Sequence, residues 1–186
     1  MSPPAHLAVI GLMGVGKTTV GRRVAARLER PFVDSDLQIE ATAGRTVKQI
    51  LADEGVEALR AVEAAALFDA LESVTPSVIG CAAGVVVDPG NVERLQAARL
   101  DGRVCVVWLT GDPAVLSPRT RTRGHRPWLD GDPEATLARM HAERADTYAH
   151  IADLIVDVTP SGRASDPDAS AAQIADWFHD VSGADR

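Results

Sequence analysis

The stretch Gly11-Leu-Met-Gly-Val-Gly-Lys17-Thr18 limits what this chain can fold into more than any other feature. It fits G-x-x-x-x-G-K-[ST] at every fixed position. Glycines let a chain turn so that several main-chain N–H groups face one anion, and a following helix adds the positive end of its dipole. That geometry needs a strand before the loop and a helix after it. Leu7 to Ile10 is a short apolar run, and Val20, Val24 and Leu28 recur at i, i+4 and i+8 in a helix predicted over Lys17 to Glu29. The loop reads as a cradle for a triphosphate tail. Gly14, Val15, Gly16, Lys17, Thr18 and Thr19 are its candidate binding residues. Lys17 is placed to reach the β- and γ-phosphates, and the Thr18 hydroxyl to ligate Mg²⁺.

The remaining chain alternates strand and helix patterns, which predicts a parallel α/β sheet. Pro31 ends the first helix, and Phe32-Val33 leads a second strand into Asp34-Ser35-Asp36. Thr46 is a predicted cap. Gly55 separates one helix from a longer one over Glu57 to Glu72. Strands are predicted at Ser77 to Cys81, Val104 to Leu109 and Leu154 to Val158. Helices are predicted from the turn at Asp88 through Gln96, over Pro133 to His150, and over Ala171 to Val181. Pro160 to Ser170 reads as a polar, flexible connection. Ser117 to Gly131 breaks the rhythm with Arg119, Arg121, Arg123 and Arg126, and reads as a mobile basic loop.

Composition narrows the function classes. Acidic residues outnumber basic ones, 26 to 19, for a net charge of −7. This argues against nucleic acid as a partner. No apolar run approaches the ~20 residues that span a bilayer, and Met1 to His6 lacks the features of a signal peptide, so a cytoplasmic protein without membrane partners is expected. Cys81 and Cys105 lie in apolar runs and read as buried thiols. Lys17 and Lys48 are the only lysines, so a lysine inside the glycine loop stands out. There is no N-K-x-D motif for reading guanine and no L-S-G-G-Q motif. Small size and the arginine-rich loop favour a kinase of a small molecule.

Asp34 and Asp36 are two residues apart on a segment read as extended, which points both carboxylates the same way. One can hold Mg²⁺ through water while the other orients and deprotonates an acceptor hydroxyl. A solvated acidic turn with a helix cap fits the same triplet. Arg60 and Arg144 are candidates for binding an anion, yet each also suits a helix-surface ion pair, Arg60 with Glu63 at i+3.

The residues together resemble the shikimate kinase family. The likeness includes Asp34-Ser35-Asp36 at the right distance from Lys17, and Gly55-Val-Glu57-Ala-Leu59-Arg60-Ala-Val-Glu63. It continues through Arg126-Pro127-Trp128-Leu129 and Arg144-Ala-Asp-Thr-Tyr148, and runs from about Leu7 to Val158. The resemblance implies a three-layer α/β/α fold with a central parallel five-stranded sheet, a P-loop kinase fold with a mobile lid. The lid falls at about 117–131 and the acceptor-binding helical region at about 34–63, all within one domain over 1–186. It implies ATP and Mg²⁺ as cofactors, a monomer, and phosphoryl transfer to shikimate. In the implied site Asp36 is base or orienter, and Arg60, Arg144 and Gly84 bind the acceptor. Lys17 and Arg126 stabilise the transferring group, Arg119 lies over the adenine, and Thr18 with Asp34 positions Mg²⁺.

One departure is prominent. The family carries three glycines after its third strand where this chain has Ala82-Ala83-Gly84. Alanine at a left-handed φ costs roughly 1 kcal/mol or more. Three outcomes follow. The local φ values are negative and the acceptor is shikimate; the pocket takes another polyhydroxy acid such as gluconate; or the acceptor site is degraded and the chain is a nucleotide-binding regulatory protein.

Overall fold

Hydrophobic runs of strand length, separated by helical periods, build a sheet whose order is β2-β3-β1-β4-β5. The strands are β1 (His6–Ile10), β2 (Phe32–Asp34), β3 (Val78–Gly80), β4 (Val104–Thr110) and β5 (Leu154–Asp157). All pair in parallel, with Ala8 facing Ile79 on one side and Val106 on the other. The structure is a computed structural model and describes residues 6–120 and 131–183. Every residue of β1 is buried, as a central parallel strand covered on both faces requires.

The helices are α1 (Lys17–Arg27), α2 (Ser35–Ala43), α3 (Val47–Glu72), α4 (Pro89–Leu100), α5 (Pro113–Thr120), α6 (Pro133–Ile151) and α7 (Pro167–Gly183). α1 packs on α7 and against β1 and β3, while α4 and α6 pack on each other and against β4. This is the expected three-layer α/β/α arrangement. Its main core is the two-sided sheet, filled by Leu7, Val9, Ile79, Val106, Leu109, Leu137, Tyr148 and Phe178 among others. A separate small cluster of Ile39, Ile50, Leu59 and Ala66 ties α2 to α3. No helix among the described residues is long and apolar enough to cross a membrane.

Several elements differ from the sequence reading. Ser117 to Thr120 is not loop but the last turn of α5, in which Leu116, Ser117 and Thr120 are buried. The arginine run beyond it hides this helix from a periodicity argument. α4 continues past Gln96 to Leu100, because Leu95 and Ala98 still face the core. α7 begins at Pro167, whose fixed φ suits a first helical position, so Pro160 to Ser170 is a short 3₁₀ turn followed by the start of a helix. β2 stops at Asp34, and Ser35 and Asp36 already belong to α2. Cys81 is buried as expected, whereas Cys105 is only half-buried. Residues 121–130, with Arg126 and Trp128, lie outside the described residues.

Candidate active site

The chain leaves β1, crosses to β2, returns to insert β3 between them, and then places β4 on the far side of β1. Parallel sheets open a crevice at the carboxyl ends of their strands where such a reversal occurs. Here the crevice is a cavity of about 480 Å³. Its walls are the loop after β1, the junction of β2 with α2, the loop after β3, the end of α5 and the segment after β5.

The phosphate end is built from backbone. Gly16 precedes α1 at φ 102°, a left-handed conformation that L side chains rarely adopt, and no side chain caps the helix. Asp34, Thr46, Asp88 and Asp132 do cap α2, α3, α4 and α6. The N-terminus of α1 thus presents main-chain N–H groups to the cavity, lined by Gly14, Val15, Gly16, Lys17, Thr18 and Thr19. The Lys17 ammonium donates to the carbonyls of Gly11 (2.9 Å) and Leu12 (3.1 Å), which holds it folded over the loop.

One carboxylate joins this loop to α2. The Thr18 hydroxyl donates to Asp34 Oδ2 at 3.0 Å, while Asp34 Oδ1 accepts from the Asp36 backbone N–H at 3.2 Å. Asp34 is therefore the N-cap of α2, and Asp36 lies in that helix's first turn rather than two places along a strand. Both carboxylates still line the cavity, because the cap fixes the turn at the mouth of β2. No group of three His, Cys, Asp or Glu side chains among the described residues could hold a metal ion. A hydroxyl beside a single carboxylate nevertheless fits Mg²⁺, which keeps water and substrate phosphates as its other ligands.

The loop after β3 adds Gly80, Cys81, Ala82 and Ala83 to the cavity lining. Among the described residues, only Glu29 and Ser161 have positive φ without being glycine, so Ala82 and Ala83 sit unstrained. Gly84 is not in the left-handed region either. Its requirement is space: a Cβ there would collide with the Arg60 guanidinium. The Ala83 carbonyl accepts from Arg144 at 3.2 Å and from the Tyr148 hydroxyl at 3.0 Å. Burial pushes the Cys81 thiol up to about 12 against the opposing pull of Lys17, which keeps it protonated.

Arg60 and Arg144 do not line the cavity itself. Each faces a neighbouring groove, the two grooves sharing Val87 and Pro89. Both guanidiniums touch the same short loop, at Gly84 and at Ala83. Arg60 is ion-paired with Glu63, which is 7% exposed. Burial raises the Glu63 carboxyl above the ordinary range. Arg60 and, less strongly, Lys17 pull it back down, while the charge of Asp36 adds to the rise. Tyr148 is also raised by burial, to about 12, with Arg144 and Arg60 opposing. Asp36, Arg60, Arg144 and Lys17 thus share one electrostatic neighbourhood.

At the far end Arg119 and Pro118 face Val158, Ser165, Pro167 and Ser170. The last four were missed by sequence reasoning, which read most of that stretch as a flexible connection. Their available signal was topological, since loops that follow parallel strands gather at one edge of the sheet.

The family described as shikimate kinase matches residues 13–178. The shikimate kinase of Bradyrhizobium diazoefficiens is 38% identical over 151 residues, covering 81% of this chain and 70% of that one. That of Halorhodospira halophila is 40% identical over 162 residues, covering 87% and 88%. The solved shikimate kinase of Acinetobacter baumannii in complex with shikimate superposes with a TM-score of 0.83 at 28% identity, covering 95% of this chain and 93% of that one.

Proposed function

This chain belongs to the shikimate kinase family, and from that premise we propose that it transfers the γ-phosphoryl group of ATP to a hydroxyl of shikimate, giving shikimate 3-phosphate. One observation carries the reading: a single cavity joins the N-terminus of α1 to Asp36 and to the loop after β3. A triphosphate bound at that terminus and a hydroxyl oriented by Asp36 would then share one cavity. The unstrained backbone at Ala82 and Ala83 removes the physical objection to a working acceptor loop in this chain.

The main-chain N–H groups of residues 14–19 bind the phosphates, and Lys17 exchanges its carbonyl partners for the β- and γ-oxygens. Thr18 and Asp34 would hold Mg²⁺, which neutralises charge on the phosphate oxygens when bound. Asp36 orients the acceptor hydroxyl and accepts its proton. The hydroxyl oxygen forms the new bond to the γ-phosphorus as the bond to the β–γ bridging oxygen breaks, and ADP leaves. Arg60 and Arg144, which lie beside the loop after β3 in the adjoining grooves, turn their guanidinium forks towards the cavity to hold the acceptor carboxylate, and Gly84 leaves room for Arg60. Arg119 covers the adenine, and Arg126 neutralises charge on the transferring group. The enzyme works as a cytoplasmic monomer.

Coupled ADP release at saturating MgATP, with and without shikimate, tests the reading. Strong stimulation by shikimate is the expected result. ATP binding without stimulation by shikimate, gluconate or quinate overturns it in favour of a nucleotide-binding regulatory protein.

A further inference from the structure

We infer that Thr120, the last residue of α5, is a positioning residue for the nucleotide: its methyl group holds Gly14 of the phosphate loop in the conformation that receives the phosphates. This deepens the reading of that loop as the ATP site and rests on it. Gly14 has φ 80°, in the left-handed region, where glycine is at home but is equally free to leave. A phosphate cradle needs one conformation, so something outside the residue must select it. α5 supplies the constraint. A Cβ on Gly14 would stand 2.8 Å from the Thr120 Cγ2 methyl and 3.2 Å from the Leu116 carbonyl oxygen, so both crowd that face of the glycine. Gly16, in the same loop, has only a Val20 methyl near the equivalent point, at 3.9 Å.

The methyl group is held in place. The Thr120 hydroxyl donates to the Ser117 carbonyl at 2.7 Å, and with the hydroxyl so engaged the side chain's single stiff torsion is set and the methyl stays against the loop. The backing is firm as well, since Thr120 and Leu116 are both buried and α5 packs against α6. Pro118 and Arg119 line the cavity, whereas Thr120 does not, so it supports the loop without facing the nucleotide. Without the methyl group Gly14 gains room for conformations that do not bind phosphate. The apparent affinity for nucleotide then falls with the fraction of loops that stay competent. Once nucleotide is bound the loop is in place, so turnover at saturation is unaffected.

Two substitutions separate the two halves of this side chain. Thr120→Ser keeps the hydroxyl and deletes the methyl, while Thr120→Val keeps the methyl and deletes the hydroxyl. The KM for ATP, the KM for shikimate, kcat and Tm are compared in both variants and the wild type. Thr120→Ser should raise the ATP KM about fivefold, the scale of one buried methyl group, with kcat and the shikimate KM within about twofold of wild type. Thr120→Val should keep the ATP KM within about twofold and lower Tm by about 2–4 °C, the scale of one lost hydrogen bond. An unmoved ATP KM in Thr120→Ser overturns the inference, and so does a rise of equal size in Thr120→Val or in the shikimate KM. A wild type whose ADP release shikimate does not stimulate overturns the acceptor reading alone. The Kd for MgATP in the three proteins then decides the inference, with the same order expected. A wild type that binds no MgATP overturns both. Should Thr120→Ser prove poorly folded, Thr120→Val decides: an unchanged ATP KM supports the role of the methyl group, and a fivefold rise overturns it.

Discussion

Arg60 is in contact with Glu63, and that contact makes its removal informative in two ways. Arg60→Ala should raise the acceptor KM about tenfold or more and move the ATP KM by no more than about twofold, since of the two substrates only the acceptor loses an interaction. Equal effects on both would show that Arg60 is not the carboxylate's ligand. The same substitution strips a 7% exposed carboxyl of the group that lowers its pKa. The folded-state value, already above 4.5, then rises further. A carboxyl raised on folding adds stability when protonated, and that contribution is lost as pH increases through the folded value. Arg60→Ala should therefore gain stability relative to wild type as pH drops from 7 towards 4.5 in denaturant melts. The double variant with Glu63→Gln should show no such gain. Tyr148, the only tyrosine, offers a second readout. Burial moves it from 10.0 to about 12, so its contribution to stability is present below pH 10 and lost between 10 and 12. Tyrosinate absorbance appearing near pH 10 before unfolding would contradict the buried hydrogen bond to Ala83. At this scale the sequence was partly legible. The lysine, the threonines and both aspartates are all at the cavity. The reason for Gly84 was hidden, because only the fold shows Arg60 above it.

Among the elements, α3 holds the clearest break between local rule and structure. It spans Val47–Glu72 but is interrupted at Gly55, with φ 85° and ψ −177°. No atom lies within 4 Å of where a Cβ would be, so crowding is not what requires glycine there. That backbone conformation is close to glycine-only and costs another residue about 1–3 kcal/mol. Gly55→Ala should lower Tm by roughly 2–12 °C, at about 2–4 °C per kcal/mol for a chain of this length. A higher Tm would mean that the two halves of α3 join into one straight helix without penalty. Gly55 was legible as a separator from sequence, and the Thr46 cap proved to be a full capping box with Gln49. α5 was not legible. Pro118 lies inside it and arginines follow, so its buried face of Leu116, Ser117 and Thr120 emerges only from packing. The start of α7 was hidden for a related reason. Asp166, Pro167 and Asp168 look like turn residues, yet the Asp166 carboxylate accepts from the backbone N–H of Asp168 at the helix start.

For the molecule as a whole, the strand count and the parallel sheet could be read from alternating apolar runs, because buried parallel strands are apolar on both faces. The strand order could not, since nothing local says that β3 inserts between β2 and β1. That order is what brings residues 14–19, 34–36, 80–83 and 165–170 to one cavity. If these four segments act as one binding unit, occupying the cavity should stabilise the entire fold rather than the phosphate loop alone. A ligand at about 100 times its Kd adds roughly 2.7 kcal/mol to a protein that binds it only when folded. For a chain of this length that corresponds to a rise in Tm of about 5–10 °C with MgATP. Lys17→Ala should lose most of this shift while melting, without nucleotide, within a few degrees of the wild type. The lysine's carbonyl contacts at Gly11 and Leu12 are part-buried, and such a hydrogen bond is worth about 1 kcal/mol. Amide exchange provides the sharper check. Nucleotide should slow exchange in β1, in α1 and also at the start of α7, whose Pro167 and Ser170 line the far end. Protection confined to residues 11–19 would mean that the segment after β5 does not close on the base, and the cavity would have to be divided into separate sites.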